Sequence, residues 1–305
     1  MSDWDLDRTV AQGSYGQVSL ATYKRNRDVQ VAIKRYRITE DAESEEKSEL
    51  LIHQRLCGGV DRRRHVNIAQ LLSHFTHDGH MYIVLEYAVG GTLRDLMAAK
   101  QDGRFRPEEV CLYLRQLLDG LHHMHRLEVM HGDLKLSNLL LGADGNLKIC
   151  DFGLSRYLRS SSNSSDRLTE YRGFHGCAEY AAPEVFHKHR AWKALPVDVW
   201  SCGIIFIVFA TGRKPWSSAQ WRTAAYRDWL SGRHGERFPW HRSFAGGGGA
   251  ARDLLLQMLV PRPDRRATVA QLRGHRYLLQ SSSPSLTSGS PESGGNRQRA
   301  RRRKS

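Results

Sequence analysis

The stretch from His131 to Gly153 narrows the folds open to this chain more than any other. It reads His131-Gly132-Asp133-Leu134-Lys135-Leu136-Ser137-Asn138, then Leu139-Leu140-Leu141, a Gly142-Ala143-Asp144-Gly145-Asn146 turn, and Leu147-Lys148-Ile149-Cys150 ahead of Asp151-Phe152-Gly153. An Asp-Gly turn between two short apolar runs predicts a hairpin. A hairpin brings together the residues just outside its strands, so Asn138 and Asp151 are expected side by side at its open end. Two hard oxygen donors converging there suit Mg2+, which takes one or two carboxylate-type ligands and completes its shell with water and phosphate. Asp133, five residues before Asn138, lies in the loop entering the same site, where it can accept or orient the proton of an incoming hydroxyl.

Two earlier segments fit the same chemistry. Ala11-Gln12-Gly13-Ser14-Tyr15-Gly16-Gln17-Val18 lies between strand-like runs, and its glycines let backbone N–H groups come close to a polyphosphate. Val31-Ala32-Ile33-Lys34 ends an apolar strand on a lysine, which is costly to bury without an anion to pair with it. A carboxylate from the following helix is the expected partner. Glu49 shares a helix face with Ile52 and Leu56, three and seven residues on; Glu46 and Glu45 are the alternatives.

The apolar pattern places strands at residues 17–21, 29–35 and 81–87, with one helix over 40–56 stopped by Cys57-Gly58-Gly59. Beyond Gly90-Gly91 the runs become helical, at 107–121, 197–210 and 250–259. The expected class is therefore α+β: a small β-rich unit over 1–87, a larger, mainly helical unit over 88–279, and a joint at 86–91. A cleft between two such units is a natural ligand site. The 305 residues carry a net charge of +14, of which residues 280–305 supply +5. That Ser/Pro/Gly-rich tail ends in Arg297-Gln298-Arg299-Ala300-Arg301-Arg302-Arg303-Lys304 and cannot bury enough apolar surface to order itself. It is expected to be either a solvated tail or a patch contacting nucleic acid or an import receptor. Five scattered cysteines without a C-x-x-C pair predict a reduced, intracellular chain with no cysteine zinc site. The acidic start lacks the features of a secretory signal, and the longest apolar run, residues 204–210, reads as part of a buried helix with no membrane span.

Taken together, Gly13/Gly16/Val18, Val-Ala-Ile-Lys34, His-x-Asp133-Leu-Lys135-x-x-Asn138, Asp151-Phe-Gly and Ala182-Pro183-Glu184 resemble a eukaryotic-type protein kinase over about residues 4–279. The resemblance implies a bilobal fold and transfer of the γ-phosphoryl of ATP to protein substrates with Mg2+. In that scheme Ala11, Gly13, Gly16, Val18 and Ala32 enclose the nucleotide, and Lys34, held by Glu49, contacts its α/β phosphates. Leu85 is the gatekeeper behind the adenine, to which Glu86 and Ala88 present backbone groups. Asn138 and Asp151 hold the metal, Asp133 takes the base or orienting role, and Lys135 steadies the γ-phosphate. A lysine two residues after the aspartate implies serine/threonine acceptors. Asp198 buttresses the catalytic loop and Glu184 pairs with Arg266.

A narrower likeness to the checkpoint kinase 1 type rests on Asp3-Trp4-Asp5-Leu6, on residues 196–204 and on Pro215-Trp216 followed by Tyr226-Arg227-Asp228-Trp229. It implies a role in DNA-damage or cell-cycle checkpoint signalling, in nucleus and/or cytoplasm, as a monomer. With about 26 residues left after residue 279, the regulatory domain of that type is expected to be absent or supplied elsewhere.

Five positions depart from the family pattern. Ala11 replaces the first glycine of the loop. Gly132 replaces the arginine that in many kinases binds a phosphorylated activation-segment residue, so phosphorylation within residues 160–169 is expected to be dispensable. Cys177 replaces a threonine that bonds Asp133 and Lys135; a thiol is a weaker partner, which predicts slower turnover. Thr92 and Ser137 replace glutamates of arginine-directed relatives, which removes the usual basis for upstream arginine preference. Ala11, Gly132 and Cys177 also fit a rival class, a catalytically weak pseudokinase scaffold that binds nucleotide. His122, His123 and His125 read as packing and surface residues, Cys150 as a small buried hydrophobe, Arg62-Arg63-Arg64 as a solvated loop, and residues 246–249 as a connector.

Overall fold

Side chains that alternate between two faces let the N-terminal segments pair. In the computed structural model, which describes residues 3–13, 16–37, 43–58, 64–158, 170–171, 176–187, 190–233 and 249–279, five strands form one antiparallel sheet. These are β1 (Trp4–Gly13), β2 (Gly16–Tyr23), β3 (Asn26–Arg37), β4 (Leu71–His77) and β5 (His80–Glu86), in the order β1-β2-β3-β5-β4. Ala21, Val31, Ile33, Tyr82 and Val84 pack on one face. Tyr36, Met81 and Ile83 pack on the other, with Leu50 of helix α1 (Glu43–Gly58) against them. The sequence pattern misses β1 and β4 for a physical reason: both are edge strands, most of their side chains are exposed, and neither carries a continuous apolar alternation.

After Glu86 the chain turns helical. Gly90 N–H donates to the Leu141 carbonyl, and Leu141 N–H returns the bond to Gly91. Thr92 caps α2 (Leu93–Ala98) by accepting from Asp95 N–H at 3.1 Å. Helix α3 (Pro107–Arg126) buries Val110, Leu114, Leu117, Leu118 and Leu121 along one stripe. Short strands β6 (Val129–Met130), β7 (Leu139–Leu141), β8 (Leu147–Ile149) and β9 (Arg156–Tyr157) follow, pairing as β6–β9 and β7–β8. A further pair joins β10 (Glu170–Tyr171) to β11 (Trp192–Lys193). Helices α4 (Ala194–Thr211), α5 (Ala224–Leu230), α6 (Gly249–Met258), α7 (Val269–Arg273) and α8 (Arg276–Leu279) complete the described fold.

Helix α4 is longer than the apolar run of residues 204–210 suggests. At 18 residues it is apolar and long enough to cross a membrane by length and composition, but 83% of it is buried as the central helix of the larger unit. Ile52 and Leu56 of α1, together with Ile68, join the same large core as α3 and α4. The segment after α1 is stitched to β8 by Ala69 N–H to the Ile149 carbonyl and Ile149 N–H to the Asn67 carbonyl, each at 2.9 Å. The C-terminal end of α1 is therefore built into the helical unit while its middle faces the sheet. The tail at 280–305, Arg62, Arg63 and residues 246–248 lie outside the described residues.

His65 gives this junction a pH dependence. Its ring stacks on His123 of α3 with centroids 4.7 Å apart, and its Nδ1 accepts from Asn67 N–H at 3.2 Å. Burial, then the neighbouring His123, pushes its pKa down to about 4. An unfolded histidine protonates near 6.5, so as pH falls the unfolded chain takes up this proton first. The contribution is intact above pH 6.5 and is lost progressively as pH falls towards 4. Melting temperatures measured between pH 7 and 4.5 are expected to fall, less steeply in a His65→Gln variant; identical slopes would exclude His65 as a source.

Candidate active site

Lys34 lies on the side of β3 that faces α1, with its side chain only 8% exposed. Its ammonium donates to Glu49 Oε1 at 2.9 Å, Glu49 Oε2 at 3.1 Å and Asp151 Oδ1 at 2.8 Å. Burial opposes its charge, but Glu49, Tyr36 and Asp151 together outweigh that and hold its pKa well above the ordinary lysine value. The Tyr36 hydroxyl also donates to Glu49 Oε2. Of the three carboxylates considered as partners, Glu49 makes the pair; the side chains of Glu45 and Glu46 lie outside the described residues.

The hairpin expected after Asn138 is present, with Leu139 opposite Ile149. Cys150 N–H donates to the Asn138 carbonyl at 3.0 Å, which puts Asn138 and Asp151 side by side at its open end. Asn138 Nδ2 is committed to the Asp133 carbonyl at 2.9 Å, which turns its amide oxygen into the available ligand. Burial pushes the Asp151 carboxyl up, yet Lys34 overrides this and holds it below the ordinary carboxylate range. Among the described residues no group of three His, Cys, Asp or Glu side chains is arranged to hold a metal alone. A two-residue set of hard oxygens fits Mg2+ that takes its other ligands from phosphate and water.

Asp151 has φ +64°, left-handed backbone that a non-glycine residue seldom adopts. Its neighbour holds it there. Phe152 is completely buried, edge-on to His53 of α1 at 4.7 Å and tilted against His131 at 5.7 Å.

Asp133 is held on both oxygens. Lys135 Nζ donates to Oδ2 at 2.6 Å and Cys177 N–H donates to Oδ1 at 3.2 Å. Burial opposes the Lys135 charge, and Asp133 outweighs it, so its pKa is raised. The threonine-like role expected of the Cys177 side chain is not what the fold uses. Its thiol faces Glu179 Oε2 at 3.6 Å, and its backbone N–H, not its side chain, makes the bond to Asp133. Burial pushes the thiols of Cys177 and Cys150 up.

The loop carrying Asp133 rests on α4. Asp198 accepts from His131 N–H and Gly132 N–H, each at 2.9 Å, as the sequence predicts. His125, read from the sequence as packing, bonds the same carboxylate at 2.9 Å, and His123 reaches the Leu56 carbonyl at 2.9 Å. Gly132 has φ +79°, and a Cβ there would sit 2.8 Å from the Leu154 carbonyl. The glycine that departs from the family pattern thus fits a backbone strained for any other residue. Arg266 pairs with Glu184 at 2.7 and 3.0 Å, as expected.

The residues expected to meet nucleotide lie on the strands of the sheet and just after β5. Ala32 lies opposite Leu85 across β3 and β5, Ala11 opposite Val18, and Gly13 opposite Gly16; Ser14 and Tyr15 lie outside the described residues. Gly16 approaches β3 so closely that a Cβ would lie 2.5 Å from the Arg35 carbonyl. Ala88 is buried, and its carbonyl accepts from Gly91 N–H. The Glu86 carboxylate accepts from Gln70 N–H at 2.8 Å and pairs with Lys148 Nζ at 3.2 Å. Lys148 also donates to the Val66 carbonyl at 3.2 Å. Sequence reasoning passed over this buried lysine, though its position inside Leu147-Lys148-Ile149 carries the same signal that marked Lys34.

Residues 4–278 match the family model described as "Protein kinase domain". The chain belongs to the protein kinase family. This kinase is 33% identical over 267 residues to "Serine/threonine-protein kinase chk-1" of Caenorhabditis briggsae, covering 87% of this chain and 51% of the relative. It is 31% identical over 277 residues to "Serine/threonine-protein kinase grp" of Drosophila melanogaster, covering 90% of this chain and 50% of the relative. "CBL-interacting protein kinase 31" of Oryza sativa subsp. japonica is 33% identical over 271 residues, with 88% and 56% covered. The kinase thus spans about half the length of these curated relatives.

Proposed function

We propose that this kinase transfers the γ-phosphoryl group of ATP to serine and threonine hydroxyls of protein substrates. One observation carries the proposal: Lys34 is bonded at once to Glu49 and Asp151, beside Asn138 at the open end of the hairpin, and Asn138 in turn bonds the loop that carries the doubly held Asp133. Phosphoryl transfer asks a protein mainly for alignment and charge neutralisation. Lys34 supplies a fixed positive charge for phosphate oxygens. Asp133, its carboxylate held by Lys135 and the Cys177 N–H, orients an acceptor hydroxyl and takes its proton. Asn138 and Asp151 are the residues that would hold Mg2+, which when bound neutralises charge on the phosphates. Nothing favours the scaffold alternative, and the Lys34–Glu49, Lys34–Asp151 and Lys135–Asp133 contacts support transfer over it.

Incubation with labelled ATP and a serine/threonine/tyrosine peptide array tests the proposal. Label is expected on serine and threonine only, lost on chelation, and without strong upstream arginine selection, since Thr92 and Ser137 offer no carboxylate. Label on tyrosine, or none, would refute it.

The likeness to the chk-1 and grp kinases supports a place in checkpoint signalling, in nucleus and/or cytoplasm, with the basic tail as a contact for an import receptor or nucleic acid. Gly132 has no side chain to receive a phosphate, and residues 160–169 lie outside the described residues. Phosphatase-treated protein is expected to keep its activity; an inactive product rescued by phosphorylation of that segment would reverse this view.

A further inference from the structure

The last turn of α1 reaches across to the start of the segment that follows Gly153. Arg55, six residues after Glu49, projects about 120° away from it around the helix. Its guanidinium carbon lies 4.5 Å from the centroid of the Tyr157 ring, and its Nε donates to the Leu127 carbonyl at 3.1 Å. Leu127 caps the C-terminus of α3, the negative end of that helix. Tyr157 belongs to β9 and pairs with Val129 of β6. Its hydroxyl donates to Glu128 Oε2 at 3.4 Å, and Leu158 N–H donates to the Glu128 carbonyl at 2.8 Å. Leu158 then packs on Met130 and Ala194.

Arg55 thus holds two features that coexist only when β9 is zipped onto β6: an aromatic face on β9 and a carbonyl at the end of α3. Arg55 is exposed and Tyr157 is 39% exposed, so neither is there to fill the core. Neighbouring groups do not share the task. Arg156 is spent on the Gly153 and Ser155 carbonyls, and position 132 has no side chain. Among the described residues, His53 on Phe152, the Leu56 carbonyl on His123 and the core packing of Ile52 and Leu56 also tie α1 to the helical unit, through residues other than Tyr157.

We propose that Arg55 and Tyr157 are positioning residues, coupling the zipping of β9 onto β6 to the seating of α1 and hence to the Lys34–Glu49 pair. This deepens the kinase reading and rests on it for its catalytic consequence. It gives the chain a contact that holds Tyr157 and Leu158 against β6, at a site where Gly132 has no side chain to contribute. A cation over an aromatic ring, with one charge-assisted hydrogen bond at an exposed site, shifts such a balance roughly three- to tenfold.

Backbone hydrogen exchange and Mg-ATP kinetics on the full chain test the coupling. Arg55→Ala is expected to speed exchange in α1 and also at Leu158, and to raise KM for ATP several-fold. Tyr157→Leu should do the same, whereas Tyr157→Phe, which keeps the ring, should stay near wild type. Arg55→Lys should recover only a small part of the loss, because lysine lacks the Nε–H that reaches the Leu127 carbonyl while the guanidinium sits over the ring. The double variant Arg55→Ala/Tyr157→Leu should be no worse than the poorer single variant. Additive losses, unchanged exchange at Leu158 in Arg55→Ala, or a Tyr157→Phe variant as impaired as Tyr157→Leu would each overturn the proposal. Failure of the wild-type chain to transfer phosphate would refute the kinase reading instead, and the exchange data would still decide the coupling.

Discussion

Asp133→Asn is expected to cut phosphoryl transfer by about 10²- to 10⁴-fold, the range over which a positioned acid or base contributes, while Mg-ATP binding and melting temperature stay near wild type. The amide keeps an oxygen for the Cys177 N–H but cannot take up a proton. It also turns an N–H donor towards Lys135, where the wild-type oxygen accepts at 2.6 Å. The loop itself is held from below by Asp198 through backbone bonds, so losing the carboxylate should not displace it. Steady-state kinetics beside nucleotide calorimetry measure both quantities. Loss of nucleotide binding with turnover unchanged would sink the assignment of Asp133 as the group serving the acceptor.

Lys34→Met should act in the opposite way, on stability and nucleotide binding together. It removes the only ammonium bonded to Glu49 and Asp151 among the described residues and leaves a 5%-exposed Glu49 carboxylate without its counter-charge. Breaking one side of a buried pair costs about 3–5 kcal/mol. The lower end applies here, because Asp151 is 37% exposed and can turn towards water. About 3 kcal/mol in a domain of this size lowers the melting temperature by roughly 6–12 °C. Adding Glu49→Leu should restore part of that loss, since it removes the uncompensated charge but leaves the buried Tyr36 hydroxyl without its acceptor, while nucleotide affinity stays poor. A double variant as unstable as Lys34→Met alone would show that the pair does not set this stability.

The part of the site that sequence revealed is the part built from contiguous segments. The Asp-Gly turn dictates the hairpin, and the hairpin dictates the meeting of Asn138 with Asp151. Helical spacing puts Glu49 on the face of Ile52 and Leu56, but Glu45, one turn earlier, shares that face, so it is the contact with Lys34 that singles out Glu49. What stayed hidden depends on long-range contacts or on backbone geometry. His125 meets Asp198 across 73 residues, and no local pattern announces that. Cys177 is a matter of which atom faces Asp133, the backbone N–H rather than the thiol, and residue type does not announce that. The two edge strands carry too little buried surface to leave a period in the sequence, so only their pairing reveals them.

The floor supplied by Asp198 divides the labour between the two halves of the molecule. On the function proposed above, the proton acceptor Asp133 sits in a loop anchored to the helical half by main-chain bonds, whereas the ammonium of Lys34, proposed to meet phosphate, rides on a strand of the sheet. Breathing of the sheet over the helices therefore changes the reach from that ammonium to the nucleotide and leaves the acceptor side in register. Opening and closing in this molecule should govern how tightly nucleotide is gripped, and hardly at all where the incoming hydroxyl is received.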